Sequence, residues 1–376
     1  METIDFLLID DEQEQEEQLK SIIDTMNTDR EVKLTYKAVK NINEAVIALY
    51  QNNFHAIIID LNLDVKDASQ TENENITGNI LLKQIIDKEI IPIVVRTGLP
   101  DKVSNDINKD IIKVYSKDEP LYKIIHELIE SYNDSVFKIF GTKGKIAQQI
   151  KELFWKVMPE CYSNKSEVSS LSSDQKEHVI IRYISSWFFN QYTFDKQYYS
   201  VEPIEMYMFP NPISQVCTCD IFSKHIDNDK CKYYLVVTPT CDLANKKVDS
   251  VLMCEIKEYT AIENFQTLLT KYNNSKSNSN RDNLAKWFRN AAQDSDKFHF
   301  LPKVSMFNGG FVDFRTLISV GYDKEKGELI DKTYRKLGVI TEHFKKNIVS
   351  RFSTYYHRQG QPEFNVDSVL EKLINE

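Results

Sequence analysis

Four runs of apolar residues mark the first third of the chain, and a polar side chain follows each of them. The runs are Ile4–Ile9, Ala56–Ile59, Ile90–Arg96 and Ile111–Ser116. Short continuous apolar runs are typical of strands that are covered on both faces of a parallel sheet. We therefore predict that this region folds as an α/β, doubly wound parallel sheet.

The polar residues that follow these runs are three carboxylates, a hydroxyl and an amine. In chain order they are Asp10 and Asp11, then Asp60, Thr97 and Lys117. The carboxyl ends of parallel strands meet at one edge of the sheet, where ligands of such folds bind. We expect these side chains to form an acidic pocket with a lysine beside it.

Such a pocket suits magnesium and phosphoryl transfer. Clustered carboxylates repel each other unless a divalent cation neutralises them, which makes Asp10, Asp11 and Asp60 the predicted Mg²⁺ ligands. An oxygen of Asp60 can attack a phosphoryl group while the cation and Lys117 stabilise the oxygens that gain charge. The Thr97 hydroxyl would then follow the new phosphate and move its loop, which describes a switch rather than a turnover cycle.

At these positions, residues 1–135 resemble the receiver domain of two-component response regulators. The family's acid pair, phosphoacceptor, switch residue and invariant lysine match, in that order, Asp10 and Asp11, Asp60, Thr97 and Lys117. The resemblance implies a flavodoxin-like fold, bound Mg²⁺ and a histidine kinase or kinase-like ATPase as partner. It also allows a homodimer.

The segment after the phosphoacceptor departs from the family pattern. Asn62 stands where the family supplies a backbone carbonyl to the metal, but Asp64 replaces the usual proline. The extra polar residues Val65–Thr77 precede Gly78, the expected equivalent of the glycine that opens the third helix. We interpret this segment as an enlarged loop beside the phosphorylation site.

A second set of departures lies around the lysine. Lys117 is followed by Asp118-Glu119-Pro120, where the family has proline directly. The aromatic switch position three residues before the lysine holds Val114, and Tyr115 should face the other side of its strand. Phosphoryl transfer is therefore predicted, whereas the usual relay from Thr97 to an aromatic side chain is not. The alternative is a receiver that folds but is never phosphorylated.

Composition indicates a cytoplasmic signalling protein with more than one domain. The chain has 376 residues, of which 41% are hydrophobic, enough for two or three cores. Six cysteines do not make a disulfide scaffold in so long a chain, and no apolar stretch is long enough to span a bilayer. Met1 leads straight into a charged segment, and we expect no signal peptide.

Charge is distributed unevenly along the chain. Residues 1–135 carry 27 acidic and 14 basic side chains, a net charge of −13, and the remainder carries 29 acidic and 33 basic side chains, a net charge of +4. The acidic part could dock on the basic part or repel a nucleic acid that the basic part attracts. An ordinary acidic receiver explains the same numbers, and we favour that interpretation.

The rest of the chain predicts two further regions. Residues 136–200 show helical periodicity and form a predicted connector, in which Gly141–Lys145 is a turn rather than a phosphate-binding loop. Residues 201–376 predict an α+β output domain around a small antiparallel sheet or barrel. Its predicted strands are Pro203–Phe209, Val216–Phe222, Tyr233–Thr238, Val251–Ile256 and Phe298–Leu301, with a hairpin from Val304–Phe307 through Asn308-Gly309 to Phe311–Val320. Asn273–Asn280 is predicted to be a flexible loop, and two helices are predicted to close the chain.

The cysteines of the output region allow two kinds of site. Cys241 and Asp242, with His225, could supply a thiol nucleophile, an acid and a base. Zinc binding would instead use four thiols, those of Cys217, Cys219, Cys231 and Cys241, although their spacing lacks two close pairs. Small buried hydrophobic side chains are the third interpretation of these cysteines, and the one we favour.

The first of the closing helices has an apolar stripe and a basic side. Its positive residues are Lys345, Lys346, Arg351 and Arg358. They could contact the phosphates of a nucleic acid or form the solvated side of a helix that packs on the core. No standard helix-turn-helix recognition segment is evident, which weakens the interpretation as a DNA-binding transcription factor.

These observations predict a phosphorylation-gated response regulator whose output module binds nucleic acid or a partner protein. One alternative is a restrained enzymatic effector, a hydrolase or nuclease, and another is a docking module that works without phosphorylation. Whether the output region turns over a substrate stays open, because no convincing site for it is evident. Thr238–Ala244 and Arg358–Pro362 resemble output regions of bacterial signalling and antiviral-defence operons, which implies a prokaryotic stress or defence setting.

Overall fold

The computed structural model divides into two compact units, Met1–Gln191 (unit 1) and Tyr192–Glu376 (unit 2). The residues that the structure describes are 3–28, 33–63, 74–133, 136–141, 144–161, 167–193, 200–211, 213–227, 230–293, 295–358 and 362–374. No helix in these ranges is both long enough and apolar enough to cross a membrane. The limits of the receiver, connector and output domains given above stay predictions.

Unit 1 begins with alternating strands and helices. They are β1 (Thr3–Ile9), α1 (Gln13–Met26), β2 (Lys33–Val39), α2 (Ile42–Gln51), β3 (Ala56–Ile59), α3 (Glu74–Lys88), β4 (Ile93–Thr97), β5 (Lys113–Ser116) and α4 (Leu121–Asn133). The five strands are parallel and lie in the order β2-β1-β3-β4-β5. This is the flavodoxin-like order, so the predicted doubly wound sheet is confirmed.

Burial on both faces explains the continuous apolar runs of the central strands. Every residue of β3 and of β4 is buried. Ile57 and Ile59 pack in the core on one face of the sheet, whereas Ile58 packs in the core on the other face. Val114 and Tyr115 of β5 likewise pack on opposite faces, as their neighbouring positions in a strand predicted.

The connection from β4 to β5 contains no α-helix. Residues 98–112 form a 3₁₀ turn at Pro100–Lys102 and further turns. Val103, Ile107 and Ile112 of this connection are buried in the core. These buried apolar side chains pack on the sheet where a crossover helix usually connects two parallel strands.

A helical segment completes unit 1. It contains α5 (Val136–Phe140), α6 (Lys145–Glu152), a π-helical turn at Leu153–Val157, α7 (Met158–Cys161) and α8 (Ser173–Thr193), whose last residues belong to unit 2. Gly144 is the N-cap of α6, and a Cβ there would lie 2.6 Å from the Ile139 carbonyl oxygen. The Gly144 amide donates to the Gly141 carbonyl at 2.6 Å, so these residues form a turn before α6; Thr142 and Lys143 lie outside the described residues.

Unit 2 is an α+β unit with an antiparallel sheet. Its elements are β6 (Tyr207–Met208), β7 (Asp220–Asp227), β8 (Lys230–Val236), α9 (Thr240–Ala244), β9 (Ser250–Lys257), α10 (Glu263–Asn274), α11 (Asn278–Phe288), β10 (Phe298–Leu301), β11 (Gly310–Asp323), β12 (Glu328–Leu329), β13 (Tyr334–Ile340), α12 (Glu342–Tyr356) and α13 (Val366–Ile374). The strands lie in the order β10-β11-β9-β8-β7-β13-β6, with β12 paired to β11. The predicted α+β class with an antiparallel sheet is confirmed.

The loop predicted at Asn273–Asn280 is shorter in the structure and spans only residues 275–277. The segment is mostly exposed, but α10 continues to Asn274 and α11 begins at Asn278. Ser277 caps α11 by accepting a hydrogen bond from the Asn280 amide. Asparagine and serine favour helix caps as well as loops, so composition alone could not separate the two.

Three predicted strand limits in unit 2 are also wrong. In the strand predicted over Pro203–Phe209, Pro203–Met206 is a 3₁₀ helix and only Tyr207–Met208 is a strand. Val304–Phe307 is a tight turn closed by an isolated bridge, and the hairpin is formed by β10 and β11 instead. The strand predicted from Val216 begins only at Asp220, whose carboxylate accepts from the Cys217 amide at 2.7 Å and holds the preceding residues in a turn.

Buried His299 of β10 predicts a pH dependence of the stability of unit 2. The side chain is 4% exposed and burial lowers its pKa to about 3, with the nearby Arg351 adding to the effect. The unfolded chain takes up this proton near pH 6.5, so stability falls below that pH by up to about 1.4 kcal/mol per unit. Between pH 6.5 and pH 5, we expect the free energy of unfolding of His299→Phe to fall by about 2 kcal/mol less than that of the wild type.

Urea unfolding of unit 2 at the two pH values measures this difference. His357→Phe is the matched control, because His357 is exposed on the same unit. Equal pH dependence in wild type and His299→Phe would contradict the prediction.

Candidate phosphoryl-accepting site

Two neighbouring strands of unit 1 bring the carboxylates together. Ile9 at the end of β1 pairs in register with Ile59 at the end of β3. The Asp60 amide donates to the Ile9 carbonyl at 2.9 Å, so Asp10 and Asp60 leave the sheet at the same level. One carboxylate oxygen from each of Asp10, Asp11 and Asp60 lies within 4.8 Å of the others.

Burial makes the negative charge of this pocket costly. Asp60 is 1% exposed and Asp10 is 6% exposed. Burial raises the pKa of Asp10 to about 6; the Glu12 amide and Lys117 oppose this, and repulsion from Asp60 and Glu12 adds to it. A carboxylate whose pKa is raised in this way is stabilised when a cation comes close to it.

Lys117 is the cation that the chain itself places in the pocket. Its Nζ lies 2.8 Å from Asp60 Oδ2, 2.9 Å from Glu12 Oε1 and 3.4 Å from Asp10 Oδ2. Burial lowers the pKa of Lys117, but hydrogen bonds with Asp60 and Glu12 and the charge of Asp10 outweigh it, so the pKa lies above its usual value. The ammonium therefore stays charged against Asp60 at neutral pH.

Glu12 is a pocket residue that the sequence reasoning missed. It accepts hydrogen bonds from Lys117 and, at 3.0 Å, from Gln15 Nε2, and these two bonds lower its pKa. Its side chain is 51% exposed, so it lies at the mouth of the pocket. The available signal was its position directly after the acid pair, at the edge where the pocket was expected.

Thr97 and Asn62 flank the pocket. Thr97 is fully buried, and its Oγ accepts a hydrogen bond from the Leu99 amide at 3.4 Å. The Thr97 carbonyl accepts from the Lys117 amide at 3.2 Å, which links the ends of β4 and β5. Asn62 is exposed, and its amide donates to Asp60 Oδ1 at 3.1 Å. The roles of the Thr97 hydroxyl and the Asn62 carbonyl stay predictions.

Helix α3 packs directly on the backbone that follows Asp60. The helix begins at Glu74, so Gly78 lies inside it rather than at its start, which corrects the prediction. A Cβ on Gly78 would lie 2.4 Å from both Cα and the carbonyl oxygen of Leu61. Glycine permits this approach. Asp64 and most of the enlarged loop, residues 65–73, lie outside the described residues.

The donor set of the pocket fits a hard divalent cation. Mg²⁺ prefers oxygen ligands, and Asp10, Asp11 and Asp60 offer carboxylate oxygens only. Burial raises the pKa of Asp10 even though Lys117 lies close to it. Across the described ranges, no other group of three or more His, Cys, Asp or Glu side chains comes together in this way.

The thiol and zinc sites considered for unit 2 are not brought together in the structure. Cys241 is exposed on α9, where its Sγ lies 3.7 Å from Asp242 Oδ1. His225 of β7 lies opposite Cys231 of β8 instead, with 3.8 Å between Nδ1 and Sγ. The four thiols considered for zinc do not form a ligand group either; Cys219 is buried, Cys217 is partly buried, and Cys231 and Cys241 are exposed.

The basic helix α12 uses part of its charge within unit 2. Arg351 donates to three backbone carbonyls, those of Asn290, Ser295 and Phe298. Arg358 pairs with Asp296, and Lys345 pairs with Glu342 at 3.0 Å. Arg351 therefore ties α12 to the segment that leads into β10. Phosphate contact by Lys345 and Lys346 stays a prediction.

Comparisons with known proteins find likeness in fold. No protein-family profile and no curated protein sequence matches the chain. Solved receiver domains align with the N-terminal region. One from Methylobacillus flagellatus is 19% identical, with a TM-score of 0.26, and the match covers 34% of this chain and 98% of that chain.

Two further solved structures give similar values. The Thermotoga maritima response regulator TrrA, solved in complex with Mg²⁺ and BeF, is 17% identical with a TM-score of 0.26, covering 34% of this chain and 98% of that chain. The receiver domain of Saccharomyces cerevisiae Ssk1, solved with the histidine phosphotransfer protein Ypd1, is 20% identical with a TM-score of 0.25, covering 34% and 88%.

Proposed function

We propose that the chain is a response regulator in which Asp60 accepts a phosphoryl group and thereby controls unit 2. The observation that supports this most is the surroundings of Asp60. Its buried carboxylate has the Lys117 ammonium at 2.8 Å and two more carboxylates close enough to share a cation. An ion pair that served stability alone would not need two further acids beside it, because they add repulsion.

The residues of the pocket have distinct roles in this proposal. Oxygens of Asp10, Asp11 and Asp60 and the backbone carbonyl of Asn62 would hold Mg²⁺. The bound cation supplies neutralisation of the carboxylates and of the charge that develops on the phosphoryl oxygens. An Asp60 oxygen attacks phosphorus, and its new bond forms as the bond to the donor's leaving group breaks. The Lys117 ammonium then binds a phosphoryl oxygen in place of the Asp60 carboxylate, and the Thr97 hydroxyl donates a hydrogen bond to another phosphoryl oxygen.

The proposed phosphoryl donor is a histidine kinase or a kinase-like ATPase. The proposed output is binding of nucleic acid or a partner protein by unit 2. The contact of His225 with Cys231 gives no support to a thiol site at Cys241, which was one form of the enzymatic alternative. Cytoplasmic location, a homodimer and a bacterial stress or antiviral-defence setting belong to the same proposal. The free thiols of the described cysteines fit a reducing compartment.

Beryllofluoride, a mimic of the aspartyl phosphate, tests the proposal directly. We expect ¹⁹F NMR to show fluoride signals of bound beryllofluoride for the wild type with Mg²⁺, and none for Asp60→Asn or without Mg²⁺. A change of mass in solution on binding would reveal assembly as the output step. A folded wild type that binds no beryllofluoride would overturn the proposal and favour the docking module that works without phosphorylation.

A further inference from the structure

A buried arginine lies beside the phosphoacceptor. Ile59 of β3 pairs with Val95 of β4, so the next residues, Asp60 and Arg96, lie at the same level on neighbouring strands. Arg96 is 6% exposed. Burial lowers its pKa, and the charges of Asp10 and Asp60 are the largest opposing effects. Its guanidinium is thus a second cation close to the acidic pocket.

The guanidinium holds the backbone around Lys117. Arg96 Nη2 donates to the Lys117 carbonyl at 2.6 Å and reaches the Glu119 carbonyl at 3.4 Å. The other terminal nitrogen, Nη1, donates to Gln15 Oε1 on α1. One side chain of β4 therefore fixes both the segment that follows β5 and the first turn of α1.

The same contacts continue to the side chain of Lys117 and close a ring. Gln15 Nε2 donates to Glu12 Oε2 at 3.0 Å, and Glu12 Oε1 lies 2.9 Å from Lys117 Nζ. Lys117 is consequently held at its carbonyl by Arg96 and at its ammonium by Glu12. Each intermediate residue bonds both neighbours in the ring, and the Lys117 ammonium also contacts Asp60 and Asp10.

Stability alone does not explain an arginine at this position. The Nε of Arg96 is buried and has no hydrogen-bond partner among the described residues. Such an orphan donor destabilises the folded state, and an apolar residue would suit a strand in which Ile93, Val94 and Val95 pack in the cores. The planar fork of arginine can instead bond a carbonyl and an amide at once, which a lysine cannot reproduce.

We propose that Arg96 is a positioning residue which, through the Lys117 carbonyl and the Gln15–Glu12 link, keeps the Lys117 ammonium at the place where the phosphoryl group on Asp60 forms. This inference depends on the proposed function, because positioning of Lys117 matters only if Asp60 is phosphorylated. Arg96 itself donates no bond to Asp60 in the structure. It acts through Lys117.

Phosphorylation kinetics test the consequence. With acetyl phosphate and saturating Mg²⁺, we expect Arg96→Met and Arg96→Lys both to slow phosphorylation of Asp60 by about tenfold to a hundredfold, with Mg²⁺ affinity within about twofold of wild type. Gln15→Leu breaks the ring without removing the buried charge and should also slow the reaction. Gln18→Leu, which removes an exposed glutamine of the same helix, is the matched control.

The lysine itself provides a readout that needs no phosphorylation. In ¹³C NMR of lysine-labelled protein, the Lys117 signal is identified by its loss in Lys117→Met. We expect this signal to move toward that of exposed lysines in Arg96→Met and in Gln15→Leu. If the wild type takes up no phosphoryl group, the proposed function fails while the lysine signal still decides the positioning.

Three results would overturn the inference. Wild-type rates in both Arg96 variants would show that Lys117 needs no such support. Full rescue by Arg96→Lys would assign the effect to charge rather than to the hydrogen-bonding fork. An unchanged Lys117 signal in Gln15→Leu would exclude the ring as its support even if the Arg96 variants fail to fold.

Discussion

Asp10→Asn is expected to make the metal-free protein more stable and to remove most of its stabilisation by Mg²⁺. Asp10 is buried beside two other carboxylates, and its pKa is raised to about 6, so its charge costs folding free energy at pH 7. The neutral asparagine side chain removes this cost, and its oxygen can still accept the hydrogen bond from the Glu12 backbone amide. We expect the free energy of unfolding without metal to be about 1–3 kcal/mol higher in Asp10→Asn than in the wild type.

The same substitution removes a predicted metal ligand, so Mg²⁺ should stabilise Asp10→Asn much less than it stabilises the wild type. A ligand at a hundred times its Kd stabilises the folded state by about 2.7 kcal/mol. Urea unfolding with and without Mg²⁺ measures both effects. Asp101→Asn, at an exposed aspartate outside the pocket, should behave as wild type. A variant that is less stable than wild type without metal would show that Asp10 serves the fold rather than a cation.

Gly78→Ala is expected to destabilise unit 1 by about 3 kcal/mol and to impair phosphorylation of Asp60. The added Cβ would lie 2.4 Å from backbone atoms of Leu61, the residue after the phosphoacceptor. Backbone cannot move aside as a flexible side chain can, so α3 or the end of β3 must shift. Such a shift would misplace Asp60 relative to Lys117, and small misplacements slow phosphoryl transfer.

Gly98→Ala is the matched control for Gly78→Ala. A Cβ on Gly98 meets no atom within 4 Å, although this glycine follows Thr97 directly. Unfolding free energy and the rate of reaction with acetyl phosphate should therefore change little in Gly98→Ala. Equal effects of the two substitutions would show that glycine at position 78 is not required by the approach to Leu61.

The parts of the fold that could be predicted are those with a strong local signal. Residues 56–59 and 93–95 are apolar without interruption, and burial on both faces is the usual reason for such runs. The limits of helices and strands were harder to predict in unit 2, where Ser277 caps a helix in a segment whose composition also suits a loop. Competing uses of the same residue types, in caps and in loops, leave no local signal that separates them.

Sequence reasoning found the site residues that directly follow a strand and missed those that lie within a strand or a helix. Asp10 and Asp60 were found because each follows an apolar run. In the sequence, Arg96 is the last residue of an apolar run and Gln15 is one of several polar residues in a predicted helix, so neither indicated a role in the site. Their pairing joins positions 81 apart in the chain, and only the packing of α1 against β4 brings them together.

The sequence by itself determined the class of the sheet in unit 1, the edge at which the acids gather and the chemistry they allow, because strand ends and charges are local properties. Only the tertiary structure decided that Glu12 and Arg96 join Lys117 at the pocket, that the backbone of α3 at Gly78 comes close to Leu61, and that His225 contacts Cys231 rather than Cys241. Most of these contacts join segments that are distant in the sequence, and the contact of His225 with Cys231 depends on the register between β7 and β8. Their geometry depends on strand order, register and helix packing, which no local pattern specifies.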